Sequence, residues 1–207
     1  TPVCAMVARE LAAAGMIKQS LQWFGYTNSV FGKSGQGSTH GLAMELVSEL
    51  FLADQPNEAQ GLLEKIILGN PEDYEALFLQ LAVLKAGGQN DAAGKTRVQA
   101  KNALLNILAT ARAQLGAKEA TTKPANDGAL QTPALEEDVA LLKASKGSKV
   151  RDFYLDALKH LAWFELYYNG QTQEAQRLTD FVLSIADPQD KATSTFATRM
   201  TGWIFLS

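Results

Sequence analysis

From residue 41 to residue 105 the apolar positions recur at helical spacing, and the pattern then returns at a fixed offset. Ala59 sits in Asn57-Glu58-Ala59-Gln60, and Ala93 in Asp91-Ala92-Ala93-Gly94. Behind them Leu50 maps to Leu84, Val47 to Leu81 and Ala43 to Leu77; ahead of them Ile66 maps to Ala100. A fixed period of this size predicts a helical array in which each helix pair buries its apolar face only against its neighbours.

The same reading extends in both directions. Residues 2–31 carry Val3, Val7, Ala8, Leu11 and Ala12 at helical spacing, a break at Gly15, and then Ile17, Ser20, Leu21 and Phe24. They predict two helices in antiparallel contact, the alternative being one long helix that runs through Gly15. The stretch 32–39 holds three Gly and three hydroxyl residues and predicts a loop whose end, Ser38 or Thr39, caps the next helix. Its Gly32-Lys33-Ser34 is no phosphate-binding loop, because Thr27 stands where that motif needs a Gly and no strand precedes it. Helices are predicted over 40–53 and 57–69. Asn70-Pro71-Glu72-Asp73 then reads as a helix start with Asn70 as cap and Pro71 first in the helix. That helix stops at Gly87-Gly88, and the following one, capped by Asn90, runs to about Leu115.

Residues 116–131 predict a long exposed loop, followed by a short acidic helix from 134 to about 143 and a polar break. Residues 150–168 are the most aromatic part, with Phe153, Tyr154, Trp163, Phe164, Tyr167 and Tyr168, and Asn169-Gly170 ends that helix. Gln173-Glu174-Ala175-Gln176 repeats the pattern around Ala59, and Asp187-Pro188 restarts a final helix with Phe196, Met200, Trp203 and Phe205.

With these residues in place the chain resembles the tetratricopeptide repeat family, whose 34-residue unit is a pair of antiparallel helices. Counting Gly41 as the second residue of a unit, Ala59, Ala93 and Ala175 take the family's small-residue position. Pro71 takes the closing position, and Gly88 and Gly170 stand at turns. The eighth position, small in the family, holds Val47, Leu81 and Trp163, and the interval from Ala93 to Ala175 is longer than two periods. The resemblance implies an all-α right-handed solenoid of about nine or ten helices. It would be a single domain over 1–207, with an inserted loop and short helix around 116–148. It also implies a concave side lined by the first helix of each unit. In the family register that surface carries Met44, Ser48, Phe51 and Leu52, then Phe78, Ala82 and Lys85, then His160, Phe164, Tyr167 and Tyr168.

Such a surface is apolar and aromatic, and it suits an amphipathic helix or an extended apolar segment of a protein partner. The expected function is a protein–protein interaction module, a bacterial adaptor or assembly factor. The competing classes are a subunit that self-assembles through its terminal helices and a helical enzyme. Aromatic residues at helical spacing also serve as plain core, and segment 116–145 could fold across them. Binding of a terminal carboxylate by Lys and Asn side chains, as in the family's chaperone-tail binders, is not expected, because Met44, Ser48 and His160 stand at those places.

Composition narrows the chemistry. The net charge of −3 gives no basic footprint for nucleic acid. One cysteine, Cys4, excludes an internal disulfide framework, and with two His it leaves too few ligands for a structural zinc. No cofactor or metal is expected. His40 and His160 have no catalytic motif around them, and Cys4 reads as an inert thiol on an apolar helix. The run Lys143, Lys146, Lys149 and Arg151 reads as a solvated turn, and Glu136, Glu137 and Asp138 as a solvated helix start. No apolar run reaches a membrane span. The start at Thr1 fits a removed signal peptide or a trimmed chain, and abundant Gln, Thr and Asn lean towards an extracytoplasmic bacterial protein.

Overall fold

Three helix hairpins share one turn. The computed structural model describes residues 3–31, 38–116, 135–187 and 190–206. Among them are ten α-helices, one 3-10 turn and no strand. The chain divides into two compact units, residues 1–100 and 101–207. In the first lie α1 (Val3–Ala13), α2 (Ile17–Phe31), α3 (Ser38–Leu52), α4 (Pro56–Gly69) and α5 (Tyr74–Ala86). A long helix, α6 (Asn90–Gln114), runs through the division. The second unit holds a 3-10 turn (Leu135–Asp138), α7 (Val139–Ala144), α8 (Lys149–Tyr167), α9 (Thr172–Ile185) and α10 (Lys191–Leu206).

In the first unit each helix packs on the next, and α3 also touches α1 and α5. Three pairs, α1–α2, α3–α4 and α5–α6, are joined by turns of three residues, 14–16, 53–55 and 87–89. In each turn the middle residue has a positive φ: 74° at Gly15, 58° at Asp54 and 68° at Gly88. In each the next amide bonds the carbonyl five residues back: Met16 to Leu11 at 2.8 Å, Gln55 to Leu50 and Gln89 to Leu84, both at 2.9 Å. Asp54 and Gly88 stand at the same offset as Leu50 and Leu84, so the period of the apolar pattern is also the period of the backbone geometry. Asp54 is the one non-glycine residue among those described to take this conformation. A side chain there is strained, and Asp tolerates the left-handed region better than most. Replacing Asp54 with Gly is expected to stabilise the chain by about 0.5–1 kcal/mol in urea unfolding. A loss of stability would mean that the carboxylate contributes more than its backbone costs.

The core of this unit joins Ala8 and Ala12 of α1, Leu42, Leu46, Val47 and Leu50 of α3, Leu62 and Leu63 of α4, and Ala76 and Val83 of α5. Leu21, Phe24, Met44, Ile66, Ile67 and Leu79 pack against it. Ala59 and Ala93 are both buried, as are Val47 with Leu81 and Leu50 with Leu84. The bulky eighth position is therefore accommodated in both copies. Ser20 is buried and donates to the Ala8 carbonyl at 2.7 Å, tying α2 to α1. Arg9 forks onto the Glu45 carboxylate, the second bond at 2.8 Å, tying α1 to α3.

Two expected starts move. Asn70 ends α4, and Asp73 caps α5 by accepting from the Ala76 amide at 3.1 Å. Asn70 instead turns back onto the Glu72 amide at 3.3 Å. Two cap-forming residues three apart compete, and the later one faces the helix amide. Helix α6 starts at Asn90 itself, its first bond being Ala93 to the Gln89 carbonyl. Of the expected loops at 32–39 and 116–131, residues 32–37 and 117–131 lie outside the described residues; Ser38 and Thr39, expected to end the first loop, already belong to α3. The short acidic helix is a 3-10 turn followed by α7, not one helix.

In the second unit α8, α9 and α10 pack on one another in sequence, α8 also touches α10, and α7 packs on α9. Ala175, Leu178 and Val182 of α9 and Leu158, Leu161 and Ala162 of α8 are fully buried. The α8–α9 turn is one residue longer than the others, 168–171. Its amide at Gln171 reaches back six residues, to Glu165 at 2.8 Å, and Gly170 has φ 64°. That extra residue shifts α8 by one against the first unit. Leu158, Ala162 and Glu165 take the places of Ala43, Val47 and Leu50. The small buried residue is thus Ala162, and Trp163, counted there from the sequence, is half-buried on the neighbouring stripe.

Candidate interaction surfaces

The first unit presents a stripe on α3 and another on α5, two helices that touch. On α3, Met44 is half-buried against the core, Ser48 is turned inward by donating to the Met44 carbonyl at 3.1 Å, and Phe51 and Leu52 are exposed. On α5, Phe78 is half-buried with its ring 5.7 Å from Tyr74, edge to face, and Lys85 is exposed in the last turn. Beside α3 and α1 a shallow cleft of about 250 Å³ is lined by Arg9, Glu10, Leu42, Glu45, Leu46 and Glu49.

The second unit is more aromatic. Tyr167 is exposed, 49%, and its ring lies 5.0 Å from Trp163 on its own helix, at an interplanar angle of 30°. On its other side Tyr167 lies 5.5 Å from Trp203 of α10, at 59°. Trp203 is equally exposed. Residues four apart on a helix share a face, which is why Trp163 and Tyr167 meet. The contact to Trp203 needs α10 beside α8. The result is a ladder of three rings, Trp163, Tyr167 and Trp203, on the surface of one unit.

The sequence-derived residues of this unit separate. Phe164 is fully buried and packs on Tyr168 at 5.6 Å, so it belongs to the core and cannot meet a partner. Tyr168 is half-buried, and desolvation raises its phenol above the ordinary value. His160 is half-buried, with Nδ1 2.9 Å from the Asp156 carbonyl and 3.6 Å from its carboxylate. Only Tyr167 remains exposed. The one-residue shift of α8 accounts for this: it brings Lys159, Trp163 and Tyr167 to the stripe that carries Met44, Ser48 and Leu52 in the first unit. The sequence names Trp163, as the bulky eighth position, and Trp203, in the last helix, but places neither on the partner surface; the longer turn is the signal that moves the first there.

Behind the ladder the unit is held by buried charge. Asp138 is 2% exposed and accepts from Arg112 Nε at 2.6 Å and from the Tyr154 hydroxyl at 2.7 Å. Thus Asp138, read as solvated, is a buried anchor. Arg151, also read as solvated, donates to the Leu142 carbonyl at 3.0 Å and the Ile185 carbonyl at 2.7 Å. Glu165, 1% exposed at a position that is Leu in the first unit, pairs with Lys101 at 2.9 Å and accepts from Asn169 at 2.6 Å. Asp190 caps α10: its carboxylate accepts from Thr193, which with the helix amides holds it below the usual carboxylate range.

Burial, followed by the hydrogen bond to Asp138, pushes the Tyr154 phenol far above its ordinary value. Its folded value lies above the unfolded one near 10. The stability it contributes is complete below about pH 10 and is lost as pH rises beyond that, at up to ~1.4 kcal/mol per unit. Folded protein should therefore withhold this phenolate in an absorbance titration until it unfolds. Tyr154→Phe should flatten the alkaline fall in stability, and an unchanged slope would contradict the assignment.

Among the described residues no group of His, Cys, Asp and Glu could hold a metal ion, and no helix is long and apolar enough to cross a membrane. No family model, curated protein or solved structure matches the chain.

Proposed function

We propose that the chain is a protein–protein interaction module built as a right-handed solenoid of antiparallel helix pairs of the tetratricopeptide kind. It would act as a bacterial adaptor or assembly factor. The ladder Trp163–Tyr167–Trp203 carries this reading. Tyr167 and Trp203 are half open to solvent with Trp163 half-buried behind Tyr167, and aromatic residues dominate the energetic centres of interfaces. The repeat assignment draws support from the turn geometry that recurs, one period apart, at Asp54 and Gly88. It draws further support from the buried Ala59, Ala93 and Ala175 and from contacts between alternate helices. Met44, Ser48, Phe51, Phe78 and Lys85 would form the corresponding surface of the first unit.

The test is Tyr167→Ala. Its ring is half in water, so the far-ultraviolet helical spectrum should persist and stability should change by about 1 kcal/mol or less. Capture of the partner from the source organism, measured against wild type, should fall at least tenfold, as loss of an aromatic anchor does. Equal capture by both proteins would remove the ladder from the interface. A self-assembling subunit is the second reading, because Trp203 stands exposed on the last helix. Concentration-dependent mass in light scattering, abolished by Trp203→Ser, would favour it.

A further inference from the structure

The two rings at the junction of α8 and α10 are not coplanar. Tyr167 and Trp203 meet at 59° with centroids 5.5 Å apart, so no single flat ring can stack on both, and the angle between them is the notch a partner would meet. A notch accepts a proline ring or a branched aliphatic side chain, whereas a sugar ring stacks on a flat face.

Charge lies beside it. Arg199 is exposed and stands four residues before Trp203 on α10, one helical turn away on the same face, about 5–6 Å between Cβ atoms. Carboxylates on α8 and before α10 have neighbours of their own. Asp152 lies 3.4 Å from Arg151, Asp156 lies 3.6 Å from His160, and Asp190 is held by Thr193 with Lys159 nearby. Among the described residues Arg199 has no carboxylate partner. What the face leaves unsatisfied is an apolar notch and, one turn along, a guanidinium.

We infer that the ladder recognises an extended peptide segment in which an apolar anchor is followed or preceded, two residues away, by Asp or Glu. The anchor enters the Tyr167–Trp203 notch and the carboxylate meets Arg199. An extended chain advances about 3.3 Å per residue, so side chains two residues apart match the one-turn Cβ separation of Trp203 and Arg199. Arg forks onto a carboxylate through two parallel bonds, which favours Asp and Glu over a lone polar group. This rests on the interaction-module reading and adds the chemistry of the partner to it.

A random dodecapeptide display library selected on the immobilised full chain tests it. Enriched peptides should carry Asp or Glu two residues from Pro, Leu or an aromatic residue. A synthetic copy of the consensus should bind wild type at least tenfold tighter than Arg199→Glu. Changing its acid to Lys should reverse that preference, with both proteins showing the same helical spectrum. Enriched peptides without the acid, or binding indifferent to Arg199→Glu but lost in Tyr167→Ala, would overturn the acidic specificity and leave the interaction surface standing. If no peptide is enriched, or if binding survives Tyr167→Ala, both readings fall. A shift of tryptophan fluorescence with trigalacturonate in place of peptide would overturn the peptide assignment in favour of an acidic sugar.

Discussion

Replacing Asp138 with Ala is expected to remove about 3–5 kcal/mol of stability, a large part of the roughly 5–15 kcal/mol that a domain possesses. Asp138 uses both carboxylate oxygens, one for Arg112 and one for Tyr154, and all three side chains are buried. Taking away the carboxylate leaves a guanidinium without its counter-charge and a phenol without its acceptor. The cost is the uncompensated burial of those groups, not only the value of the bonds. With a urea slope of roughly 2 kcal/mol per molar, the midpoint should fall by about 1.5–2.5 M. Asp138→Asn should cost less, since an amide oxygen still accepts from Arg112. Hydrogen exchange should show α7 and the N-terminal half of α8 losing protection first, because the residue joins the 3-10 turn to α6 and α8. A loss below about 1 kcal/mol for the alanine variant would show that water replaces the carboxylate and that the network is not a closed one.

The second large effect belongs to Arg151. It lies in the first turn of α8, where a cation opposes that helix's own dipole. It is held there because its guanidinium donates to the carbonyls of Leu142 and Ile185, each in the last turn of its helix, where no intrahelical amide remains to satisfy them. One side chain therefore closes the ends of α7 and α9 together. Arg151→Ala should cost about 3 kcal/mol, two charge-assisted bonds at ~1.5 each. Arg151→Lys should recover less than half of that, because an ammonium cannot reproduce the fork. Full recovery by Lys would show that charge near the helix ends matters and the geometry does not.

Both residues show where the sequence was legible and where it was not. The helices of the first unit could be read because their apolar stripes are simple. Leu46, Val47 and Leu50 point inward, and the repeat offset carries the last two over to Leu81 and Leu84. Gly15 and Gly88 announced their turns; Asp54 did not, because a non-glycine residue in the left-handed region leaves no compositional trace. In the second unit the inward positions include Asp138, Arg151 and Glu165. A pattern reading sends charged residues outward by default, and only their partners, 26 residues away for Asp138 and 34 for Arg151, reveal them as buried. The candidate surface was half visible. Aromatic enrichment singled out residues 150–168, but the extra residue in the turn before α9 moved the outward stripe by one. That put Phe164 in the core and Trp163 at the surface. Trp203 joins the ladder through a contact between α8 and α10, with all of α9 intervening in the chain, and no local pattern carries that.

Glu165 stands where the other hairpins have leucine, and that has a consequence for assembly rather than for strength. Hairpins with matching oily faces are interchangeable, and a chain built from them can pair the wrong neighbours while it folds. A carboxylate in the middle of such a face makes one docking partner acceptable, the helix that brings Lys101 to 2.9 Å, and makes the others costly. The pair thus acts as an address label: any docking that leaves Glu165 away from Lys101 buries a carboxylate without its counter-charge.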